Sequence, residues 1–432
     1  MIIKHQDLNT INNIKFYNQL LLFLIYLNSA TILVPDRYKA WPILLLLLVA
    51  LVRYFKLDVK PTLDTRKFVI SISFFLILVV SIAYSSDMSY AFKKLESGSS
   101  LVVFPLIFYI IGDDKELFTK KRIEVLKLTF IISLLFFLIS MFTYFYLTEP
   151  FFTFKNTLEH YTNLVDIRVS RYSTHSIYLS IYIGIAVLFT LSIFKSSKRA
   201  IAKIFLLFVL LTFIVFVAIL NKKGPIISLG VVGLFFLIKN KLSSRNVVLM
   251  SIITIVLVSL IVFLPRYKNE NKFYELLEIG KDKNSSSGLR LQIYECSIQQ
   301  IARSPLFGYG WGDIKTVLND CFTENKSLVL LKNNYNSHNQ YLSILLSTGL
   351  LGFMAFMYYF FYIFRISNKR DSQLLFLLTL YFCLNMLTEN ILEREDGVII
   401  IALLINIFLF SINVSGGLSG NMSPKSINLN ED

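Results

Sequence analysis

This sequence is short of charge and of metal-binding side chains. Only 16% of its residues are charged, and 4 histidines and 3 cysteines are spread over 432 positions. No close His/Cys/Asp spacing occurs among them, so there is no zinc signature and no metal is expected. No glycine-rich phosphate loop stands at a strand-to-helix junction, so ATP hydrolysis is unsupported and no cofactor is called for. Three cysteines make no disulfide framework. Cys383 lies in an apolar stretch and is expected as packing. Cys296 and Cys321 share one polar loop, where a bridge is an open alternative.

What the chain has in plenty is apolar side chains, 55% of the total, in long blocks rather than at amphipathic spacing. A helix needs about 20 such residues to cross a bilayer. Twelve blocks are read as candidates: 16–34, 40–55, 68–84, 99–112, 125–147, 176–194, 204–220, 225–239, 246–264, 339–364, 372–390 and 396–412. The fold expected is all-α: a polytopic membrane protein of about twelve transmembrane helices with a large helical external loop. Residues 1–412 form a single membrane domain. The Ser/Gly/Asn-rich stretch 413–432 reads as a disordered cytoplasmic tail. The first block follows a polar N-terminus without a small-residue cleavage site and is read as a retained helix.

A net charge of +15 raises the question of nucleic acid, and its distribution answers it. With the N-terminus inside, the five internal cytoplasmic loops carry 5, 5, 4, 3 and 3 Lys/Arg, against three or fewer in each short external loop. This positive-inside bias puts both termini of a multi-pass membrane protein in the cytoplasm and argues against nucleic acid. Two external insertions break the rhythm, at about 148–175 and 265–338. A loop as long as the second is usually functional. Within it, Asn271–Ile279 reads as a short helix. Ser285–Ser287 can cap another, from Gly288 to about Arg303, with Leu289, Ile293 and Cys296 on one face. Phe307 to Gly312 reads as a glycine-rich turn whose Tyr309 and Trp311 are suited to stacking on sugars.

The candidate chemistry lies at the external rim. His338 stands where the long loop enters an apolar segment, and an imidazole with a pKa of about 6.5 can be neutral and basic there. Lys222 and Lys223 occupy a tight turn on the face where lysine is disfavoured, either snorkelling to headgroups or holding a phosphate-bearing lipid. Arg290, near a helix start, offers a planar fork to a phosphate. Arg168 and Arg171 can add to the same positive basin, and His175 reads as a capping or interfacial residue. Glu389, Glu393, Arg394, Glu395 and Asp396 cluster at one helix end. Ion pairing and helix termination explain them, and a carboxylate there can orient an acceptor sugar.

Together Gly288-Leu-Arg290, Ser304-Pro-Leu-Phe-Gly-Tyr-Gly310, Ser337-His-Asn-Gln-Tyr-Leu342 and Thr348-Gly-Leu-Leu-Gly352 resemble the O-antigen ligase/polymerase superfamily of bacterial envelope glycosyltransferases. The resemblance covers roughly residues 220–365. It implies a polyprenyl-diphosphate-linked glycan as donor, with neither nucleotide sugar nor metal. By motif position it makes His338 the catalytic base and Arg290 a diphosphate ligand. Lys222, Lys223, Arg171 and Asn339 complete the expected substrate-binding set. The family usually has an arginine in the turn where this chain has Lys222-Lys223-Gly224. Lysine keeps the charge there and loses the fork. The leading reading is a ligase joining the glycan to a lipid A–core hydroxyl. A polymerase extending the lipid-linked glycan is the alternative within the superfamily, and a polysaccharide or lipid transporter the alternative of another class. A carrier site is expected near the midplane among intramembrane charges, whereas the polar features here gather at one rim.

Overall fold

In hydrocarbon every backbone N–H and C=O must be paired within the protein, which leaves long apolar blocks the choice of helix or closed barrel. The computed structural model describes residues 2–57, 60–114, 116–148, 153–166, 175–240, 285–333, 335–370 and 372–415, and among these no strand occurs. The first part of the chain forms α1 (Ile2–Ser29), α2 (Ala40–Lys56), α3 (Thr65–Ile82), α4 (Met88–Gly98), α5 (Ser100–Ile111), α6 (Lys120–Thr148), α7 (Phe154–Asp166), α8 (Ser176–Ser196), α9 (Ala200–Leu220) and α10 (Lys223–Asn240). After these come α11 (Ser286–Arg303), α12 (Ile314–Glu324), α13 (Leu328–Asn333), α14 (Gln340–Lys369), α15 (Gln373–Asn385) and α16 (Glu395–Ser415).

Each of the twelve expected segments coincides with a helix except 246–264, which lies outside the described residues, as does the helix expected at Asn271–Ile279. Among the described residues, 7 helices are long and apolar enough to cross a membrane. The chain is an all-α polytopic membrane protein. The segment expected at 99–112 is longer than it reads, because α4 leads almost directly into α5 and the pair spans Met88–Ile111. Three lysines or glutamates near the end of α4 (Lys93, Lys94, Glu96) hide that extension from a hydropathy reading. α16 runs to Ser415, past the expected boundary at 412, and 416–432 lie outside the described residues.

α8 and α16 form the centre of the bundle, buried along almost their whole length and touching through Phe189 and Phe408 at 6.0 Å between ring centroids. α5 packs on α16, α6 and α9 on α8, and α3 and α15 on α14. Leu48, Phe136, Phe208 and Phe361 point outward and are more than half exposed, as lipid-facing side chains are. The charges segregate by end. Arg53 pairs with Asp114, Lys67 with Asp64 at 3.3 Å, and Lys127 donates to Ser192 at 2.9 Å, all at one end. Lys39 with Asp36 and Asp396, and Lys94 with Glu393, stand at the other.

The segment after residue 284 folds onto this second end. Ser285 caps α11 by accepting the Gly288 N–H at 3.0 Å, and Ile293 and Cys296 face inward, as the serine run and the spacing suggest. A disulfide joins Cys296 to Cys321, tying α11 to α12 and resolving the open alternative. Residues 304–313 then insert against a break in α14 at Gly349, where φ is +61°. That break frees backbone groups, and the loop satisfies them. Tyr309 and Gly310 N–H donate to the carbonyls of Leu346 and Ser347 at 2.8 and 2.9 Å, and Leu350 N–H donates to Pro305 O at 2.8 Å. Gly308 (φ +67°) and Gly349 lie in each other's path, so a Cβ at either would meet the partner segment's backbone. The two glycine-bearing motifs are therefore halves of one backbone clasp. Trp311 corrects an expectation. It is only 4% exposed, wedged against Phe75 and Gly98, and so is unavailable to stack on a sugar. The Tyr309 hydroxyl is engaged by Gln300 at 2.9 Å.

Gly349→Ala combines a left-handed backbone with a steric clash, each such strain costing about 1–3 kcal/mol. The expected outcome is a clearly lower midpoint of thermal unfolding for detergent-purified protein. Alanine at Gly230, which has open space around its Cβ position, should cost nothing comparable.

Candidate functional site

His338 sits at the mouth of α14 in a conformation that side-chain-bearing residues rarely adopt, φ +44°. Its surroundings hold it there. Its N–H donates to Asn336 Oδ1 at 3.1 Å, and its carbonyl accepts from the Tyr294 hydroxyl at 3.3 Å. The next residue, Asn339, caps α14 by accepting from the N–H groups of Tyr341 and Leu342 at 2.9 and 3.2 Å. Its side-chain oxygen is thus committed to the helix end.

The imidazole is 22% exposed, with the Tyr335 ring 5.6 Å away between centroids. Its Nδ1 is buried, lies 3.6 Å from Glu389 Oε2, and makes no hydrogen bond among the described residues. That gap is just beyond hydrogen-bond length, and a small rotation closes it. A carboxylate facing Nδ1 favours the tautomer with the proton on that nitrogen, which leaves Nε2 as the basic lone pair. The Glu389 turn also abuts the lysine turn, since Thr388 fills the space beside Gly224.

Behind the histidine lies a buried polar chain. Ser337 hydrogen-bonds Asn390 at 3.0–3.1 Å, and Asn390 donates to Glu393 at 2.6 Å. Glu393 also accepts from Ser343 and pairs with Lys94 at 2.8 Å. Burial pushes the Glu393 carboxyl up, but Lys94 and these hydrogen bonds outweigh it and hold it below the usual carboxylate range.

Three cations act on the groups around Glu389. Arg290 lies one turn before Tyr294 on α11, and both its charge and that of Glu389 act on the Tyr294 phenol. Lys222 and Arg394 act on His175, which also feels Asp166 and Glu389. Burial is the largest influence on His175 and lowers its pKa; Asp166 works against that and the two cations reinforce it. His175 Nδ1 caps α8 by accepting from Ile177 N–H at 3.3 Å, so the capping role read from sequence is observed. Arg394 lies 6.0 Å from the Tyr178 ring.

The structure thus sets His338 beside Glu389, while Arg290 acts on Tyr294 and Lys222 on His175, two groups that also feel Glu389, and Lys223 starts α10. Arg168 and Arg171 lie outside the described residues. What a sequence reading does not supply is the pairing of Glu389 with His338, the closeness of Tyr294, and the Lys94–Glu393 link. The one local signal is the four-residue spacing of Arg290 and Tyr294.

Removing Glu393 while leaving Lys94 strands a buried charge, at a cost of about 3–5 kcal/mol. Glu393→Ala should therefore sharply reduce the yield of folded protein, and adding Lys94→Met should recover much of it. The pair should also be acid-sensitive. A carboxyl held low in the folded state contributes stability that is complete above its unfolded value of about 4.3 and lost as pH falls through the folded one. A thermal-unfolding series descending through that window measures the loss.

Residues 208–357, about a third of the chain, match the family described as O-antigen ligase. Among curated proteins, none matches. The matched stretch runs from α9 into α14 and contains Lys222, Lys223, Arg290, His338 and both halves of the glycine clasp. On that match, this stretch of the chain is similar to the O-antigen ligase family.

Proposed function

We propose that the chain is an O-antigen ligase-like glycosyltransferase that moves a polyprenyl-diphosphate-linked glycan onto a lipid A–core hydroxyl. The observation that carries this reading is the His338 imidazole set beside Glu389, with Arg290 acting on Tyr294, and Lys222 and Arg394 on His175, the neighbours that also feel Glu389. A base beside a cationic basin suits a reaction whose leaving group is a diphosphate and whose nucleophile is a neutral hydroxyl.

In the proposed step, the acceptor oxygen attacks the anomeric carbon and its proton passes to His338 Nε2. The bond from that carbon to the diphosphate oxygen breaks, and the electron pair leaves with the diphosphate. Arg290, Lys222 and Lys223, with Arg171 as a further candidate, balance the growing negative charge. Glu389 faces Nδ1 and orients the imidazole, the service a carboxylate gives a histidine base elsewhere. Attack from the face opposite the leaving group inverts the anomeric centre. The site is assigned to the periplasmic side of the inner membrane, because the basic helix ends gather at the opposite end of the bundle.

The test is an in vitro transfer assay with a lipid-diphosphate-linked glycan, offering lipid A–core and unextended repeat units separately. Product on lipid A–core alone is expected. A lengthening ladder on the lipid carrier would instead establish a polymerase. His338→Ala should lose about 10²–10⁴-fold in rate, the usual worth of general acid–base catalysis, while remaining folded. Glu389→Gln should lower kcat more than it raises KM. Retention of configuration in the product would refute single displacement.

A further inference from the structure

Neighbouring residues on α4 and around the start of α16 face opposite ways. Lys94 and Glu393 turn inward to the chain of hydrogen bonds behind His338. Lys93 and Glu395 line a separate cavity of about 490 Å³ together with Glu96, Ser97, Ser99 and Ser100. Its other wall is apolar, built from Ile43, Leu44 and Val103. The glycosyl-transfer reading uses none of these residues.

Three observations define what would fit. Glu96 and Glu395 lie near enough to feel each other's charge, and among the described residues neither has an ion-pair partner. Lys93 lines the cavity, and Lys39, already paired with Asp36 and Asp396, also acts on Glu395, so the carboxylates there stay in excess. Second, Ser100 is only 7% exposed, and its hydroxyl has no hydrogen-bond partner among the described residues. Ser97 and Ser99 donate to the carbonyls of Lys93 and Glu96, which leaves their oxygens with acceptor lone pairs. Third, the cavity continues onto an exposed apolar strip of α2 made by Trp41, Leu44, Leu45 and Leu48, each between 46% and 68% exposed. A tryptophan beside a polar pocket at a helix start is the usual mark of the membrane–water boundary.

We propose that this cavity binds the headgroup of a phospholipid of the ethanolamine type. Its primary ammonium lies between Glu96 and Glu395. Its phosphate meets Lys93 and the Ser100 hydroxyl, and its acyl chains run down the α2 strip. A divalent cation fits less well. Among the described residues no group of three or more His, Cys, Asp or Glu is placed to hold one, and a metal has no use for the apolar wall. An anionic lipid would bring its charge against two carboxylates.

The test uses the full-length protein purified in detergent and titrated, by native mass spectrometry, with dioleoyl phosphatidylethanolamine, dioleoyl phosphatidylglycerol or water-soluble phosphoethanolamine. One retained phosphatidylethanolamine is expected, bound about tenfold more tightly than phosphatidylglycerol, as one charge-assisted hydrogen bond at a half-exposed site can give. Phosphoethanolamine should compete weakly. Glu96→Gln with Glu395→Gln should abolish the preference, and Lys93→Ala, a change at an exposed position, should weaken phosphatidylethanolamine binding. Equal binding of the two lipids, or a preference that survives the double substitution in protein with an unchanged size-exclusion profile, overturns the proposal. Phosphoethanolamine binding as tightly as the lipid overturns the lipid assignment. The readout is binding alone, so it stands or falls independently of glycosyl transfer.

Discussion

The ion pair between Lys94 and Glu393 ties two distant parts of the chain together at the rim of an otherwise apolar bundle. Neither charge would be tolerated there alone, because desolvation without a partner costs several kcal/mol. Once paired, Glu393 has oxygens left to accept from Ser343 and Asn390, and Asn390 in turn holds Ser337. The residue after Ser337 is His338. A requirement of burial, that every charge be paired and every polar group satisfied, thus fixes the backbone on which the candidate base is carried.

That backbone is held in the left-handed region, which an isolated segment would leave. Capping of α14 by Asn339, the Gln340 N–H donating to Met386 O at 2.9 Å, and the Tyr294 hydroxyl on the His338 carbonyl all act against relaxation. The glycine clasp does the same one level deeper. It breaks α14 at Gly349 and reuses the freed backbone groups to seat residues 304–313, so the loop that carries α11 and Arg290 is registered against the helix that His338 begins. Motif residues that look interchangeable in a string thus divide into two kinds. The glycines set where the backbones meet, and His338 sets its imidazole against Glu389.

The electrostatics follow from the same placement. Glu389 is the hub, since it lies 3.6 Å from His338 Nδ1 and its charge acts on His175 and Tyr294. Arg290, Lys222 and Arg394 act on those same two groups, which suits a polyanionic substrate under the proposed function. The apolar interior supplies a low dielectric behind the site and makes each of these charges count for more than it would in water.

The apolar blocks, the alternation of basic loops and the serine cap at 285 determined a polytopic helical bundle, its charge segregation and the helix carrying Arg290. Such features depend on composition and on neighbours within a few residues, which a string displays. The motif at 336–342 likewise marked His338. Only the tertiary structure decided that Glu389, 51 positions further on, faces that imidazole, that Trp311 is core rather than a sugar platform, that Cys296 meets Cys321, and that α4 extends α5 beyond its apolar stretch. The reason is physical. A carboxylate at a helix end reads the same whether it ends the helix or faces a base, and an aromatic in a glycine-rich turn reads the same buried or free. The difference lies in which surface the turn meets, and that is set by the packing of segments far apart in the chain.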